Sequence, residues 1–225
     1  LKLSYSSFND MENKLKDEQQ NLNQIEDEYN KCCLKLSEQR QLYAKNVDNE
    51  INAELPSLRL ESAKFKTTVS ENKKPGRNGK DLIKFFIKTN NHSKFDEIKS
   101  ISSGGELCRF ALAIKVVTSK KNSTSIVFDE VDSGIGGAVA SAVGERLRKL
   151  GNQQQVLVVT HSPQVASLGN DHFKISKKNE KTKTITTITR LEGNERVREI
   201  ARMLSGKEIT TEAEAAARKL IENII

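Results

Sequence analysis

Apolar side chains recur at Phe8, Met11, Leu15, Leu22, Ile25, Tyr29, Cys32 and Leu36, in alternating steps of three and four with Glu18 filling the one gap. No proline interrupts the chain before Pro56. That spacing is a heptad seam, which only a long helix keeps on one face. A single amphipathic helix cannot bury such a stripe alone. The seam needs a partner: the globular remainder of the chain, a segment outside it, or a second copy. The economical reading is a coiled-coil arm over residues 1–55, with residues 56–225 forming a second domain.

Pro56 closes the helix, and residues 63–69 and 81–89 then alternate as two strands around a turn rich in Lys, Pro and Gly. Within that turn, Gly76-Arg77-Asn78-Gly79-Lys80-Asp81 invites comparison with a phosphate-binding P-loop and fails it. A P-loop has four residues between its glycines and Ser or Thr after the Lys, so that the loop wraps the phosphates and the hydroxyl reaches magnesium. Here only Arg77 and Asn78 separate the glycines and Asp81 follows Lys80, which predicts an exposed hairpin turn.

Three later stretches place polar groups at the ends of apolar elements. The run Ile126-Val127-Phe128, bounded by Ser125, ends abruptly in Asp129 and Glu130. It reads as a strand buried on both faces of a parallel sheet, with the acids at the edge where α/β proteins bind ligands. There Asp129 can hold a hydrated magnesium ion and Glu130 can polarise a water. Equally, Asp-Glu after a strand can cap the next helix.

Upstream, Ser103-Gly104-Gly105-Glu106 precedes a helical pattern through Phe110, Leu112, Ala113, Ile114 and Val117. Two glycines at a helix start let an anion approach the backbone N–H groups, and Ser103 can add its hydroxyl. The same four residues also fit a capping box. Downstream, a glycine-rich loop over residues 131–137 leads to an Ala-rich helix ending near Leu150. A second apolar run, Val156-Leu157-Val158-Val159, then ends in Thr160, His161, Ser162 and Pro163. Consecutive βα units lie side by side, so His161 is expected in the same crevice as the two acids. A neutral imidazole there can hydrogen-bond a terminal phosphate or an attacking water. A strand pair over 172–176 and 184–190 flanks a lysine-rich turn, 177–183, a candidate for touching DNA phosphates. Helices over 194–204 and 210–224 complete the chain.

Composition narrows the setting. The chain carries 37 basic and 30 acidic side chains, a net charge of +7. Residues 1–60 are acidic, with eight bases against eleven acids, so the basic excess lies in the rest and suits nucleic acid or nucleotide phosphates. Cys32 and Cys33 are adjacent and Cys108 stands apart, which provides neither a disulfide framework nor a metal-ligand spacing with His92, His161 or His172. A reduced, intracellular protein is expected. No stretch approaches the roughly 20 apolar residues of a membrane span, and the start lacks the pattern of a signal peptide.

In their order, Ser103-Gly104-Gly105-Glu106, Ile126-Val127-Phe128-Asp129-Glu130 and Val159-Thr160-His161 resemble the C-terminal half of an ABC-type ATPase head: its signature motif, Walker B strand and switch histidine. With a coiled-coil arm entering from the N-terminal side, the chain is similar to the heads of SMC-related DNA-repair ATPases. The longer strings at 103–109, 128–135, 160–166 and 199–206 narrow the resemblance to bacterial double-strand-break repair members, and it extends from about Leu36 onward. Cys108 stands where most relatives are expected to carry Ser. The P-loop and the magnesium-binding glutamine loop, which in this family belong to the N-terminal half, do not occur in the sequence. A C-terminal fragment is therefore expected, as it is from a start at Leu1 rather than Met.

The resemblance implies an α/β fold, the C-terminal half of an ABC-type (P-loop NTPase) head with an N-terminal coiled-coil helix. It implies ATP and Mg2+ as cofactors, with two nucleotides sandwiched between two heads. Asp129 would order the magnesium through water, Glu130 would act as general base, and His161 would sense the γ-phosphate. Ser103, Gly104, Gly105 and Glu106 would grip the nucleotide of a partner head, and Asp132 with Ser133 and Gly134 would lie at the dimer seam. The implied partners are DNA, as double-strand ends or single-stranded tails, the N-terminal half of the same protein, and a second copy through the heads, with no membrane. The implied location is cytoplasmic, at the bacterial nucleoid. The isolated chain, without a Walker A segment, is expected to be inactive. The competing expectations are another SMC-like ATPase, a structural coiled-coil and DNA-binding piece, and a metal-dependent nuclease using Asp129, Glu130 and Asp132.

Overall fold

The computed structural model describes residues 2–101, 103–119, 125–179, 184–206 and 208–222. The chain divides into two compact units, Leu1–Asn49 with Lys66–Phe86, and Glu50–Phe65 with Ile87–Ile225.

The first unit is built on helix α1 (Lys2–Glu54), whose 53 residues run unbroken for about 80 Å. Met11, Leu15, Leu22 and Ile25 of the predicted seam are exposed, so that stretch of the stripe is uncovered. Further along, the covered line follows Tyr29, Cys33, Leu36, Arg40, Ala44 and Val47. The seam was expected to pass through Cys32; instead Cys33 is buried at 4% exposure and Cys32 faces out. The reason is geometric: 3.6 residues per turn drift ahead of a strict heptad, and the covering element decides which side is sealed.

That cover is a hairpin of β1 (Lys64–Gly76) and β2 (Gly79–Lys88), longer than the sequence suggested. Its turn is Arg77-Asn78, flanked by Gly79 at φ +91°. A Cβ at Gly79 would lie 3.2 Å from Leu36 Cδ2 and 3.3 Å from Arg40 Nη1, so the helix and ribbon approach closely there. Tyr29 donates its hydroxyl to the Gly76 carbonyl (2.9 Å), and Lys80 donates to Asn30 Oδ1 (2.7 Å). Asp81 accepts from Ser37 Oγ (2.6 Å) and Arg40 Nη1 (2.7 Å). Those two donors hold its carboxyl below the usual range, the Ser37 hydroxyl first and the Arg40 guanidinium second.

In the second unit, α1 ends in a 3-10 turn, Leu55–Leu58, that buries Leu55 and Leu58. The short β3 (Asp96–Glu97) completes the strand order β1-β2-β3. Helices α2 (Gly104–Ser119) and α3 (Gly137–Gly151) both pack on the 3-10 turn, and Arg146 of α3 grips both carboxylate oxygens of Glu54 at 2.6 and 2.9 Å.

Strands β4 (Ile126–Asp129) and β5 (Val156–Val159) pair in parallel, with Ile126 opposite Val156 and Asp129 opposite Val159. Ile126 and Phe128 are buried, but Val127, Leu157 and Val159 are 53%, 51% and 49% exposed. The expectation of burial on both faces is therefore corrected: among the described residues only one face is covered. The apolar run records two faces able to be buried, and this chain supplies a cover for one.

The rest is α4 (Pro163–Ser167), the antiparallel pair β6 (His172–Asn179) and β7 (Thr184–Leu191), α5 (Gly193–Ser205) and α6 (Thr211–Glu222). Val197, Ile200, Ala201 and Ala217 form a small core between the last two helices, with Ala166 of α4 packed against it. Of the lysine-rich turn, residues 180–183 lie outside the described residues, as do the last two positions of the predicted C-terminal helix.

Candidate functional site

Every predicted site residue belongs to the second unit. At the start of α2 the Ser103 carbonyl accepts the Leu107 N–H (3.1 Å), which puts Ser103 at the N-cap position. Gly104 has open space where a side chain would be, leaving the first helical N–H groups approachable. Gly105 is enclosed instead: a Cβ there would lie 2.9 Å from both the Gly134 carbonyl oxygen and Ile135 Cγ2. The signature-like segment thus abuts the loop that follows β4, and only a glycine permits that spacing.

Asp129 and Glu130 leave the end of β4 exposed. Among the described residues neither carboxylate has a hydrogen-bond or ion-pair partner. The Glu130 N–H reaches the Val159 carbonyl (3.1 Å), which continues the ladder one residue beyond β4. Its φ of +49° is left-handed, an uncommon conformation for a residue with a side chain. Cys108, Lys115, Phe128, Asp129 and Glu130 border a depression of about 200 Å³. Lys115 donates to the Val127 carbonyl (2.6 Å) and places its ammonium 4.7 Å from the centre of the Phe128 ring.

Asp132 is fully buried, accepting from the Thr160 hydroxyl and from the Ser162 N–H (3.2 Å), so it ties the loop after β4 to the segment after β5. Its second oxygen, Oδ1, has no partner. In that loop Gly134, Gly136 and Gly137 are exposed and Ser133 is half-buried. His161 is exposed, next to Thr160, at the same strand-end edge as Glu130.

The parallel register therefore brings Asp129, Glu130 and His161 to one edge, and the Gly105 contact brings the start of α2 to the loop leaving it. Arg109, to which the sequence reading gave no role, fixes that start: its guanidinium donates to the carbonyls of Gly105 (3.1 Å), Leu58 (3.0 Å) and Arg59 (2.9 Å). Lys115 and Thr160 were missed likewise. A lysine within the apolar pattern of α2 was the available signal for the first; a hydroxyl between an apolar run and a histidine is too common to mark the second.

Among the described residues no group of three or more His, Cys, Asp or Glu side chains is arranged to hold a metal ion. A magnesium ion that keeps most of its waters and takes phosphate oxygens needs few protein ligands, and the unpartnered, exposed Asp129 carboxylate fits that demand.

Solved structures place this arrangement in a class. A chain described under "Structural biochemistry of ATP-driven dimerization and DNA stimulated activation of SMC ATPases" superposes with a TM-score of 0.58 at 13% identity, covering 76% of this chain and 99% of that one. The Smc head domain with a coiled coil from Pyrococcus yayanosii gives 0.59 at 15% identity, covering 74% and 30%. The fold is that of the C-terminal half of an SMC-type, ABC-class ATPase head.

No family model matches the chain. DNA repair protein RecN of Rickettsia prowazekii is 42% identical over 198 residues, 88% of this chain and 36% of that protein. RecN of Vibrio cholerae is 41% identical over 189 residues, and that of Bacillus subtilis 38% over 203. The chain spans about a third of the length of these relatives. Over the segment it covers, it belongs to the RecN family. No helix among the described residues is long and apolar enough to cross a membrane.

Proposed function

We propose that this chain is the signature-bearing and Walker B-bearing half of a RecN-type ATPase that acts in DNA double-strand-break repair and recombination, and that it hydrolyses ATP once a Walker A segment is supplied by the rest of such a protein. The observation that carries this reading is the parallel pairing of β4 with β5, which sets Asp129, Glu130 and His161 on one edge. ATP with Mg2+ supplies the bond to be cleaved and the cation that offsets its charge. Asp129 would hold that cation. Glu130 orients the hydrolytic water and takes its proton, and His161 hydrogen-bonds a terminal phosphate oxygen.

Ser103 and the first N–H groups of α2, at Gly104, Gly105 and Glu106, face the phosphates of a nucleotide bound by a second head, which makes the active form a homodimer. Asp132 acts as the link between the two loops of one head. Residues 1–55 serve as a coiled-coil arm, consistent with the uncovered seam at Met11, Leu15, Leu22 and Ile25. The open face at Val127, Leu157 and Val159 receives the N-terminal half of the head. DNA, as ends or single-stranded tails, is the macromolecular partner, and the location is the bacterial cytoplasm at the nucleoid.

The nuclease reading is disfavoured by the Asp132 carboxylate, which is buried against Thr160 and does not join Asp129 and Glu130. ATP turnover by this chain alone, and after mixing with the N-terminal part of a RecN relative, with and without linear DNA, tests the proposal. Turnover only in the mixture is expected. A folded mixture that stays inert would return the chain to a structural or DNA-binding role.

A further inference from the structure

We infer that the β1–β2 ribbon is a surface that grips the phosphate backbone of duplex DNA, through Lys66, Lys74 and Arg77. The inference rests on the DNA-repair reading and names the contact that reading leaves open. Residues 64–88 hold eight basic side chains and two acidic ones, a net charge of +6 in a chain whose total is +7. By contrast α1 holds seven basic and eleven acidic side chains. The residues outside α1 and the ribbon carry a further +5, but spread over 147 positions, so the density of positive charge is greatest on the ribbon.

Structure sharpens the asymmetry. Of the two acids in the ribbon, Asp81 is turned onto α1 and neutralised by Arg40, with its side chain 8% exposed. The ion pair joining ribbon to helix thus uses an acid from the ribbon and a base from the helix, which leaves the outward charge of the ribbon more positive. Lys66, Lys74 and Arg77 are all exposed. The ribbon is also held in place along its length: Thr67 N–H donates to Asp48 (2.8 Å) near its base, Asp81 bonds α1 midway, and Tyr29 holds Gly76 at the tip. A pinned ribbon loses little freedom on binding.

Duplex DNA matches this surface in charge and shape. Strands of 13 and 10 residues make a ribbon about 35–40 Å long, comparable to one turn of B-DNA at about 34 Å, and a two-stranded ribbon fits a major groove. Phosphate contacts by lysine and arginine carry no base preference, so the expected binding is independent of sequence and steeply salt-dependent.

The test uses the whole chain and a fluorescein-labelled duplex of about 30 base pairs, with anisotropy read between about 50 and 200 mM salt. Three proteins are compared with the unaltered chain: Lys66→Glu/Lys74→Glu/Arg77→Glu, the neutral Lys66→Gln/Lys74→Gln/Arg77→Gln, and Lys177→Glu/Lys178→Glu on β6. Unchanged circular dichroism and melting mark each variant as folded. The ribbon reversal is expected to weaken binding at least tenfold, and both ribbon variants to lower the slope of log affinity against log salt by about 3. The β6 variant is expected to change affinity less than threefold. Binding that survives both ribbon substitutions, or is lost only with the β6 pair, overturns the ribbon assignment while leaving DNA as the partner. An unaltered chain that fails to bind duplex at low salt overturns the assignment as well, and the ATP turnover of the reconstituted head then judges the wider reading separately.

Discussion

Thr160 donates its hydroxyl to the buried carboxylate of Asp132, and one bond thereby joins the loop that leaves Glu130 to the segment that presents His161. The Asp132 carboxylate also takes the Ser162 N–H at 3.2 Å, so a single acid orders two loops. The groups proposed to act on ATP lie on separate strands, and such a tie keeps their spacing fixed.

Removing the donor should be costly because Asp132 has nowhere to find water. Thr160→Val is expected to lower stability by about 1–3 kcal/mol, seen as a fall of several degrees in melting temperature. Thr160→Ser should recover most of it. A Val variant that melts with the unaltered chain would show that the bond holds nothing in place.

Gly105 makes the second tie. A methyl group there meets the Gly134 oxygen and Ile135 Cγ2 at 2.9 Å, closer than real contacts allow, and neither the backbone nor its neighbour can yield cheaply. Gly105→Ala should cost about 1–3 kcal/mol and separate α2 from the loop, raising proteolysis near residues 133–137. Gly104→Ala, with open space around it, should leave melting and cleavage nearly unchanged.

Much of this was legible in the sequence, for reasons that particular residues make plain. Ile126 to Glu130 announced a strand ending in acids because apolar runs stop where a sheet meets solvent, and parallel pairing then placed His161 beside it. The hairpin turn at Arg77-Asn78 followed from the two glycines flanking it. Other features depend on which surfaces meet, and no local pattern encodes that. Cys33 replaces Cys32 on the covered line because the ribbon lies to one side of α1. Asp132 turned inward because Thr160 was within reach, and Val127 stayed exposed because no described element of the chain covers it.

Acid should loosen the ribbon from α1. The carboxyl of Asp81 is held below its ordinary value of 3.8 by Ser37 and Arg40, so its stabilising effect is complete above that value and is lost as pH falls through the lower folded value. Asp81→Asn mimics the loss at neutral pH. It is expected to speed labelling of the buried Cys33 by a thiol reagent, with exposed Cys32 as the internal reference. Equal Cys33 rates in both proteins would mean that Asp81 does not pin the ribbon.

Glu54 and Arg146 form a mostly covered pair, with side chains 16% and 11% exposed. Arg146→Ala removes one partner and should cost about 3 kcal/mol, whereas Glu54→Leu/Arg146→Leu should recover a large part of that loss. Chemical denaturation of the single and double variants measures the difference. Equal midpoints for the Ala variant and the unaltered chain would remove the pair from the account of how α3 is anchored.

The most direct measurement is steady-state ATP turnover by a full-length RecN-type protein carrying this chain, with Glu130→Gln compared against the unaltered protein. Glutamine keeps the size and hydrogen-bonding reach of the side chain but cannot take a proton. Turnover is expected to fall at least 100-fold, about 3 kcal/mol of barrier, while ATP binding is retained. Undiminished turnover in the Gln variant would contradict the assignment of Glu130 as the base, and with it the reading of this strand end as the hydrolytic site.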